Sequence, residues 1–313
     1  MGLPSVCIVT IFRNEANAIC EWATHHIQQG VSRLFMIDHN STDRWQEEVS
    51  PALRQHMTVV YEPRSSASED KPVQVPLLNQ HFLRAARAYT WVMGVDLDEF
   101  VYARGSHAGS IPSALAAVPW WRPGVRLTSK RFGSAGLREQ PRSMVEGFLR
   151  RYNLSAQSEH CGTRMKACSG SKSIVRTRGL WSFHIHWHYT LPLWSDLNMR
   201  MPANDTEADL AAAPLHMNHY VVQSREWFLQ VKAARGRVSG TTERPGEAYF
   251  NKIEATANAV VDKELPLQQR RLSRRHAGRA SVGPPPLPAC RDPPLFRQHH
   301  SPPARGEVVL EKV

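Results

Sequence analysis

The first hundred residues alternate between short apolar runs and amphipathic segments. The apolar runs predict buried β-strands over residues 6–11, 31–37, 57–61 and 91–95. The segments between these runs predict helices over residues 15–29, from 43 to about 55, and 75–89. Because strands that alternate with helices form parallel sheets covered on both faces, we expect an α/β fold with a largely parallel sheet.

The first predicted helix has the clearest period. Its inward face repeats with the i, i+3, i+4, i+7, i+8 spacing at Ile19, Trp22, Ala23, His26 and Ile27. Gly30 follows as the expected end of this helix. The polar residues 38–43 then indicate a turn, in which Thr42 or Asp43 is expected to cap the next helix.

The fourth apolar run ends abruptly in two aspartates, Asp96 and Asp98. If the strand continues, both carboxylates share one face, where they repel each other unless a cation lies between them. Hard oxygen ligands suit Mg²⁺ or Mn²⁺, and such an ion recruits substrate phosphates to complete its shell. The pair therefore predicts a site for a divalent metal and a diphosphate, with a solvated turn as the alternative.

Other polar residues follow the neighbouring strands. Arg13, Asn14 and Glu15 follow the first strand, and Asp38 ends the second. Because these loops share the sheet edge of Asp96, a nucleotide can lie across them. We expect Asp38 to receive a base or ribose hydroxyls, and Arg13 to meet a phosphate, with Asn14 and Glu15 beside it. A surface salt bridge for Arg13 and a turn-forming role for Asp38 are the alternatives.

The second half of the chain predicts fewer elements. Helices are expected over residues 225–235, ended by Gly236, and over 247–264. We expect residues 1–264 to form one catalytic unit. Its nucleotide-binding half covers about 1–105 and its acceptor half about 106–264.

The last residues of the chain, 265–313, differ from this unit in their charge. Residues 265–313 carry eight Arg and one Lys against three carboxylates, which is +6 of the net charge of +11, and nine of the 22 prolines. We expect this tail to be disordered or at most loosely docked, and to be a solvated appendage, with peripheral contact to anionic membrane lipid as the alternative. Its one Phe, Phe296, does not make a platform for stacked bases, so nucleic acid is not an expected partner.

Composition indicates an ordinary globular protein, with 42% apolar and 21% charged residues among 313. No apolar run approaches the ~18–20 residues that span a bilayer, and no signal peptide is evident. The cysteines have no disulfide-framework spacing, and they are Cys7, Cys20, Cys161, Cys168 and Cys290. We therefore expect reduced thiols and a cytoplasmic location.

Short motifs follow one another along about residues 5–240. The motifs in the first hundred residues are Arg-Asn-Glu at 13–15, Glu-Trp at 21–22, His-His at 25–26, Gly-Val at 30–31, Asp-His-Asn-Ser-Thr-Asp at 38–43 and Asp-Leu-Asp-Glu-Phe at 96–100. Later motifs are Phe-Gly-Ser at 132–134, Lys-Ser-Ile-Val-Arg at 172–176, His184, His186, His-Tyr at 219–220 and Ser-Arg-Glu-Trp-Phe at 224–228. In this order the set resembles the glycosyltransferase 2-like and family 92 enzymes. His39 departs from their pattern, which usually has Asn or another small polar residue there.

The resemblance implies a GT-A fold, with a Rossmann-like mixed sheet flanked by helices. It implies transfer of a sugar from a nucleotide-sugar donor, expected to be a UDP-sugar, to a carbohydrate acceptor in polysaccharide biosynthesis. Mn²⁺ or Mg²⁺ is the expected cofactor, with Asp98 as a ligand and Asp96 on ribose or metal. A late histidine, His219 in preference to His186, is expected to supply a further ligand.

Further roles follow from the same resemblance. Lys172, Arg131 and Arg176 are expected to hold donor phosphates or acceptor hydroxyls, with a solvated charge as the alternative for each. Inversion at the anomeric carbon needs a general base, for which the available acids are Glu146, Asp196 and Asp205. Platforms for an acceptor sugar, with core packing as the alternative use, are Trp120, Trp121 and Trp181.

Two other classes of function are considered. A non-catalytic binding module with the same fold is disfavoured by the intact Asp96 and Asp98 pair. A phosphoryl-transfer enzyme would need a nucleophilic Asp after the first strand, where the chain has Arg13-Asn14-Glu15.

Overall fold

The computed structural model describes residues 2–63, 73–155, 172–184, 188–190, 206–235, 246–277 and 290. The predictions for His186, Asp196, Asp205 and Gly236 lie outside the described residues.

The described residues form short strands and helices in alternation. The strands are β1 (Val6–Phe12), β2 (Arg33–Asp38), β3 (Met57–Tyr61), β4 (Trp91–Gly94), β5 (Glu99–Ala103), β6 (Gly124–Leu127), β7 (Ser129–Phe132), β8 (Arg150–Arg151), β9 (Lys172–Arg176), β10 (Leu180–Ser182), β11 (Tyr189–Thr190), β12 (Leu215–Tyr220) and β13 (Val260–Val261). The helices are α1 (Ile19–Gln28), α2 (Trp45–Glu48), α3 (Pro51–Arg54), α4 (Gln74–Ala86), α5 (Ile111–Ala116), α6 (Met144–Gly147), α7 (Glu207–Ala212), α8 (225–235, with a π-helical turn), α9 (Glu247–Glu254) and α10 (Glu264–Ala277).

The first sheet has the strand order β3-β2-β1-β4-β9-β6. Its first four strands are parallel, whereas β9 runs antiparallel to β4 and β6 antiparallel to β9. Alternate residues of β1 face opposite layers: Ile8 packs in one core cluster with Trp22 of α1, and Val9 in another with Phe82 of α4. The predicted mixed α/β fold, with a Rossmann-like sheet flanked by helices, is confirmed.

A second sheet has the order β13-β8-β7-β12-β5. Only residues 95–98 separate β4 of the first sheet from β5 of the second. In the second sheet, β12 pairs antiparallel with β5 and parallel with β7. The two aspartates therefore lie where the chain passes from one sheet to the other.

The helices predicted over 15–29 and 75–89 form as the shorter α1 and α4, whereas two other predicted helices are interrupted. The helix from 43 to about 55 is two separate turns, α2 and α3, because Ser50 precedes Pro51 and takes the extended conformation that this position favours. Ser50, rather than Thr42 or Asp43, supplies a cap, since its Oγ accepts from the Leu53 amide at 3.2 Å.

The prediction of one helix over 247–264 is also wrong. The helix α9 ends at Glu254, and the short strand β13 follows before α10 begins at Glu264. Asn258 holds this break, because its side chain donates to the Glu254 carbonyl and accepts from the Ala135 amide at 3.1 Å.

The expectation of disorder from residue 265 onward is wrong for residues 265–277. These residues belong to α10, and Leu265 is fully buried in the main core cluster. Gln268 donates to the Ala103 carbonyl at 2.6 Å, which fixes the helix against β5. The composition of the tail concealed a helix that docks through a few buried positions, above all Leu265.

The expectation of reduced thiols is wrong at two positions, because Cys20 and Cys290 form a disulfide. This bond attaches a residue of the predicted tail to α1. Among the described residues, Cys7 is a buried free thiol. None of the helices in the described part of the chain is long and apolar enough to cross a membrane.

We expect Leu265→Ala to lower the free energy of unfolding by about 2–5 kcal/mol, because it opens a cavity under α10. Leu267→Ala is the matched control on the same helix, where the side chain is 47% exposed, and we expect little change there. Urea unfolding followed by circular dichroism measures both. Equal stability of the two variants would show that α10 does not contribute to the core.

Candidate active site

The aspartates lie in a turn rather than on a continuing strand, so the argument from alternating side chains does not apply. Glu99 closes this turn: its Oε2 accepts from the Asp96 amide at 2.8 Å, and its own amide donates to the Asp96 carbonyl at 3.0 Å. The Asp96 side chain is 41% exposed, while those of Asp98 and Glu99 are buried. One carboxylate therefore faces solvent and two are held inside.

Asp98 is bound from two sides. Lys232 of α8 donates to its Oδ2 at 2.7 Å, and His219 Nε2 lies 3.5 Å from its Oδ1. Burial raises the pKa of Asp98, but Lys232 and His219 outweigh burial and hold the pKa well below its ordinary value. Asp98 is therefore an ionised carboxylate at neutral pH.

Lys172 joins the other two carboxylates. Its buried Nζ lies 3.0 Å from Asp96 Oδ2 and 3.2 Å from Glu99 Oε2. Burial lowers the pKa of Lys172, but the two carboxylates outweigh burial and raise it. Burial raises the pKa of Glu99 to about 7, an effect that Lys172 opposes.

His219 lies between two carboxylates. On the side away from Asp98, its Nδ1 is 3.7 Å from Glu99 Oε1, and this nitrogen is buried without a hydrogen-bond partner in the described structure. A carboxylate behind a histidine orients the ring for a metal on its other nitrogen. The Asp98 oxygen and the His219 Nε2 form a mixed oxygen and imidazole pair that fits Mn²⁺ or Mg²⁺. No group of three metal-ligating side chains meets within the described residues, so a metal bound here needs further ligands from substrate or water.

Arg131 extends this row across the second sheet. The register pairs Glu99 of β5 with His219 of β12, and His219 with Arg131 of β7. Paired residues on adjacent strands point to the same face. The Nε of Arg131 is buried without a hydrogen-bond partner among the described residues, so its guanidinium is available to an anion.

The loops after β1 and β2 are tied together by Asn14. Its backbone has a positive φ of 53°, its amide donates to Ser41 Oγ at 3.0 Å, and its Oδ1 accepts from the Thr42 amide at 2.7 Å. Asp43 adds a bond from the Ala16 amide at 2.8 Å. These contacts bring the two loops to one edge, as predicted, and they use much of the Asn14 side chain.

Asp38 has the turn-forming role that the sequence offered as an alternative to a nucleotide contact. Its Oδ1 accepts from the Ser41 amide and its Oδ2 from the Trp45 indole, each at 2.8 Å. Glu15 is buried, and its carbonyl accepts from the Ala18 amide as α1 begins. Arg13 is half-buried directly after β1. Nucleotide contacts by Asp38, Arg13 and Glu15 stay predictions.

Several predicted residues lie away from the cluster of Asp98 and His219. Glu146 forms a surface ion pair with Arg270 at 2.9 Å and has no described contact with the two aspartates. Arg176 pairs with Trp91 at the far end of the antiparallel strand β9, about 13 Å from Lys172 by strand rise. Arg176 therefore cannot share a donor phosphate with Lys172.

The three predicted tryptophan platforms lie near that far end. Trp120 and Trp121 belong to the loop whose Pro119 carbonyl accepts from Arg176 at 3.3 Å. Trp181 lies in β10, and its ring contacts that of Tyr189 with centroids 5.0 Å apart. All three rings are exposed, so core packing is not their use, and they lie across the sheet from Asp96.

Comparison with known proteins gives a consistent result along the chain. The family model for glycosyltransferase family 92 matches residues 4–228. A glycosyltransferase family 92 protein of Oryza sativa subsp. japonica is 31% identical over 179 residues, which are 56% of this chain and 27% of the relative. Another family 92 protein, from Ricinus communis, is 33% identical over 184 residues, which are 56% of this chain and 29% of that relative. The matched part is thus under a third of the length of these relatives.

Solved structures show weaker likeness. A mycobacterial protein is 14% identical with a TM-score of 0.34, covering 75% of this chain and 72% of its own. The galactosyltransferase LgtC, solved with donor and acceptor sugar analogs, is 10% identical with a TM-score of 0.31. That match covers 84% of this chain and 99% of LgtC. Scores of this size do not establish a shared fold.

We expect Lys172→Met to lower the free energy of unfolding by about 3–5 kcal/mol, because it leaves Glu99 buried without its cation. The double variant Lys172→Met/Glu99→Gln should recover part of this loss. Lys252→Met, at an exposed position of α9, is the control for loss of a lysine. Urea unfolding of the four proteins tests the pair, and a stability of Lys172→Met equal to that of the control would contradict it.

Proposed function

The chain belongs to glycosyltransferase family 92, and from this premise we propose that it transfers a sugar from a nucleotide-sugar donor, a UDP-sugar, to a carbohydrate acceptor. The observation that carries the proposal is the row of Glu99, His219 and Arg131 beside the ionised Asp98. This row supplies a carboxylate, an imidazole and a guanidinium at one junction between the sheets. Such a set suits a metal and a diphosphate together.

In this proposal, Asp98 Oδ1 and His219 Nε2 hold Mn²⁺ or Mg²⁺, and Glu99 orients His219 from behind. When bound, the ion acts as a Lewis acid for the charge that develops on the leaving diphosphate. The exposed Asp96 carboxylate reaches the ribose or the ion. The carboxylate oxygen and the imidazole nitrogen, 3.5 Å apart, are spaced for neighbouring positions on one ion.

In this proposal the cations of the site bind the donor phosphates. Arg131 lies one strand from His219 and has an unused buried Nε. Lys172 and Lys232 hold Asp96 and Asp98, so they are already within reach of groups that bind these carboxylates. Positive charge fixed in this way stabilises a leaving diphosphate without reorganisation of the site.

Inversion remains part of the proposal, since direct attack by an acceptor hydroxyl needs one general base and no covalent intermediate. The acids predicted as candidates for this role are Glu146, Asp196 and Asp205. In the structure Glu146 is paired with Arg270, so it would have to leave this pair to act as the base.

We expect UDP to bind with a strong dependence on Mn²⁺, and Asp98→Ala to abolish sugar transfer. His219→Ala should weaken Mn²⁺-dependent UDP binding, with recovery at higher Mn²⁺, because an open coordination position can be filled by water. Glu99→Gln should cost about 10–100-fold in metal affinity, as outer carboxylates do. His107→Ala, a half-buried histidine bound to Ser113, is the control.

Calorimetry of UDP binding with and without Mn²⁺, and a transfer assay with a panel of UDP-sugars, provide the measurements. Full transfer in excess chelator would contradict the metal dependence. Metal-dependent binding of UDP-sugar without either transfer or hydrolysis would instead favour the non-catalytic binding module. Release of inorganic phosphate without transfer would favour phosphoryl-transfer chemistry.

A further inference from the structure

The edge of the first sheet opposite Asp96 has its own chemistry. Strands β1, β2, β3 and β4 begin there, and β9 ends there, as the parallel and antiparallel registers require. We name this surface the arginine edge. It is formed by the segments that enter or leave the sheet, which are residues 2–5, 29–33, 54–56, 84–90, 117–123 and 176–179.

The arginine edge contains cations and no carboxylates. Its arginines are Arg33, Arg54, Arg84, Arg87, Arg122, Arg176 and Arg178, and none of the six segments contains Asp or Glu. The opposite edge of the same sheet carries the acids Glu15, Asp38, Asp43, Glu62, Asp96 and Asp98, together with the cations Arg13 and Lys172. Because acids predominate there and are absent from the arginine edge, the first sheet is electrically polarised from one edge to the other.

These arginines keep their charge unneutralised. Where they have hydrogen bonds, they donate to backbone carbonyls: Arg33 to Gln55 at 2.6 Å and Arg87 to Leu180 at 2.7 Å. None of the ion pairs found among the described residues includes an arginine of this edge. Carbonyl contacts position a guanidinium without cancelling its charge, so the edge attracts anions.

Apolar side chains stand exposed among these cations. Trp120 is 85% exposed and Trp121 is 54% exposed, and both lie in one loop with the Arg122 guanidinium 5.3 Å from the Trp121 ring. Arg176 fixes this loop by donating to the Val118 carbonyl at 3.1 Å. Leu3, before β1, is 64% exposed. Indole rings beside cations are the side chains that favour a membrane–water interface.

We propose that the arginine edge docks on an anionic lipid bilayer surface, with the Trp120–Trp121 loop entering the headgroup region. The charge pattern fits this partner, because phosphate-bearing lipids attract the basic edge and repel the acidic one. Docking in this orientation leaves Asp98 facing away from the bilayer. An exposed aliphatic residue such as Leu3 suits acyl chains and offers nothing to the stacked bases of a nucleic acid.

The test is flotation of the full chain with phosphatidylcholine vesicles that contain or lack phosphatidylserine. We expect binding only to the anionic vesicles, and weaker binding as salt is added. Arg84→Gln/Arg178→Gln should bind about 25-fold more weakly, at about fivefold for each arginine. Trp120→Ser/Trp121→Ser should also bind more weakly while all arginines remain.

The matched control is Arg44→Gln/Arg138→Gln, which removes two exposed arginines that lie outside the edge. It should bind vesicles like the unchanged protein. Unaltered thermal unfolding of each variant shows that the fold is intact. Absence of binding to anionic vesicles overturns the proposal, and so does an equal loss in the edge and control variants. Displacement of the protein from vesicles by RNA at equal phosphate concentration would assign the edge to nucleic acid instead.

Discussion

Three carboxylates within four residues cannot be placed at the junction of two sheets unless cations meet them there. Asp98 and Glu99 are buried beside Asp96, and an unpaired buried charge would cost several kcal/mol. The cations are Lys172 and Lys232, which come from β9 and α8. Because both lie far along the chain from the turn, the site exists only after the later segments have folded onto the first sheet. The geometry of the candidate site and the folding of the domain therefore depend on the same ion pairs.

The first sheet could be predicted because its signals are local. Apolar runs bounded by turn residues placed β1 to β4 within about two residues, and their alternation with helices indicated parallel pairing. The second sheet could not be predicted in this way. Its strands contain charged residues such as Lys130 and Arg151, which are buried because Asp262 pairs with both, while Glu264 and Glu207 each pair with one of them. Such ion pairs join segments that are distant in the sequence, so they produce no periodic pattern of apolar residues. The helix α10 escaped prediction for a related reason, since a few buried positions within a basic segment are enough to dock it.

The candidate site was predictable in its residues more than in its geometry. Motif order pointed to Asp98, His219 and Lys172, and the structure brings these side chains into one cluster. Lys232 was missed, because a lysine within an amphipathic helix looks like a solvated residue until the fold turns it inward. The position of Arg176 at the opposite edge of the sheet could not be predicted, because the motif that contains both Lys172 and Arg176 does not reveal the direction of its strand. In an extended strand the two residues occupy opposite ends, so one motif contributes to both edges of the sheet.

This separation of edges links the two proposals. Parallel strands send the loops that follow them to one side, where a metal and a nucleotide require acids and a few fixed cations. The opposite side is then free of that requirement. In this chain the opposite side carries arginines without carboxylates and two exposed indoles. Had the arginines served only solubility, acids interspersed among them would have served equally well. Arginines without any acid between them, together with Trp120 and Trp121, give this edge what it needs to dock on an anionic surface while the acidic edge faces away. Sheet direction thus determines both where the chemistry is built and which face remains for docking.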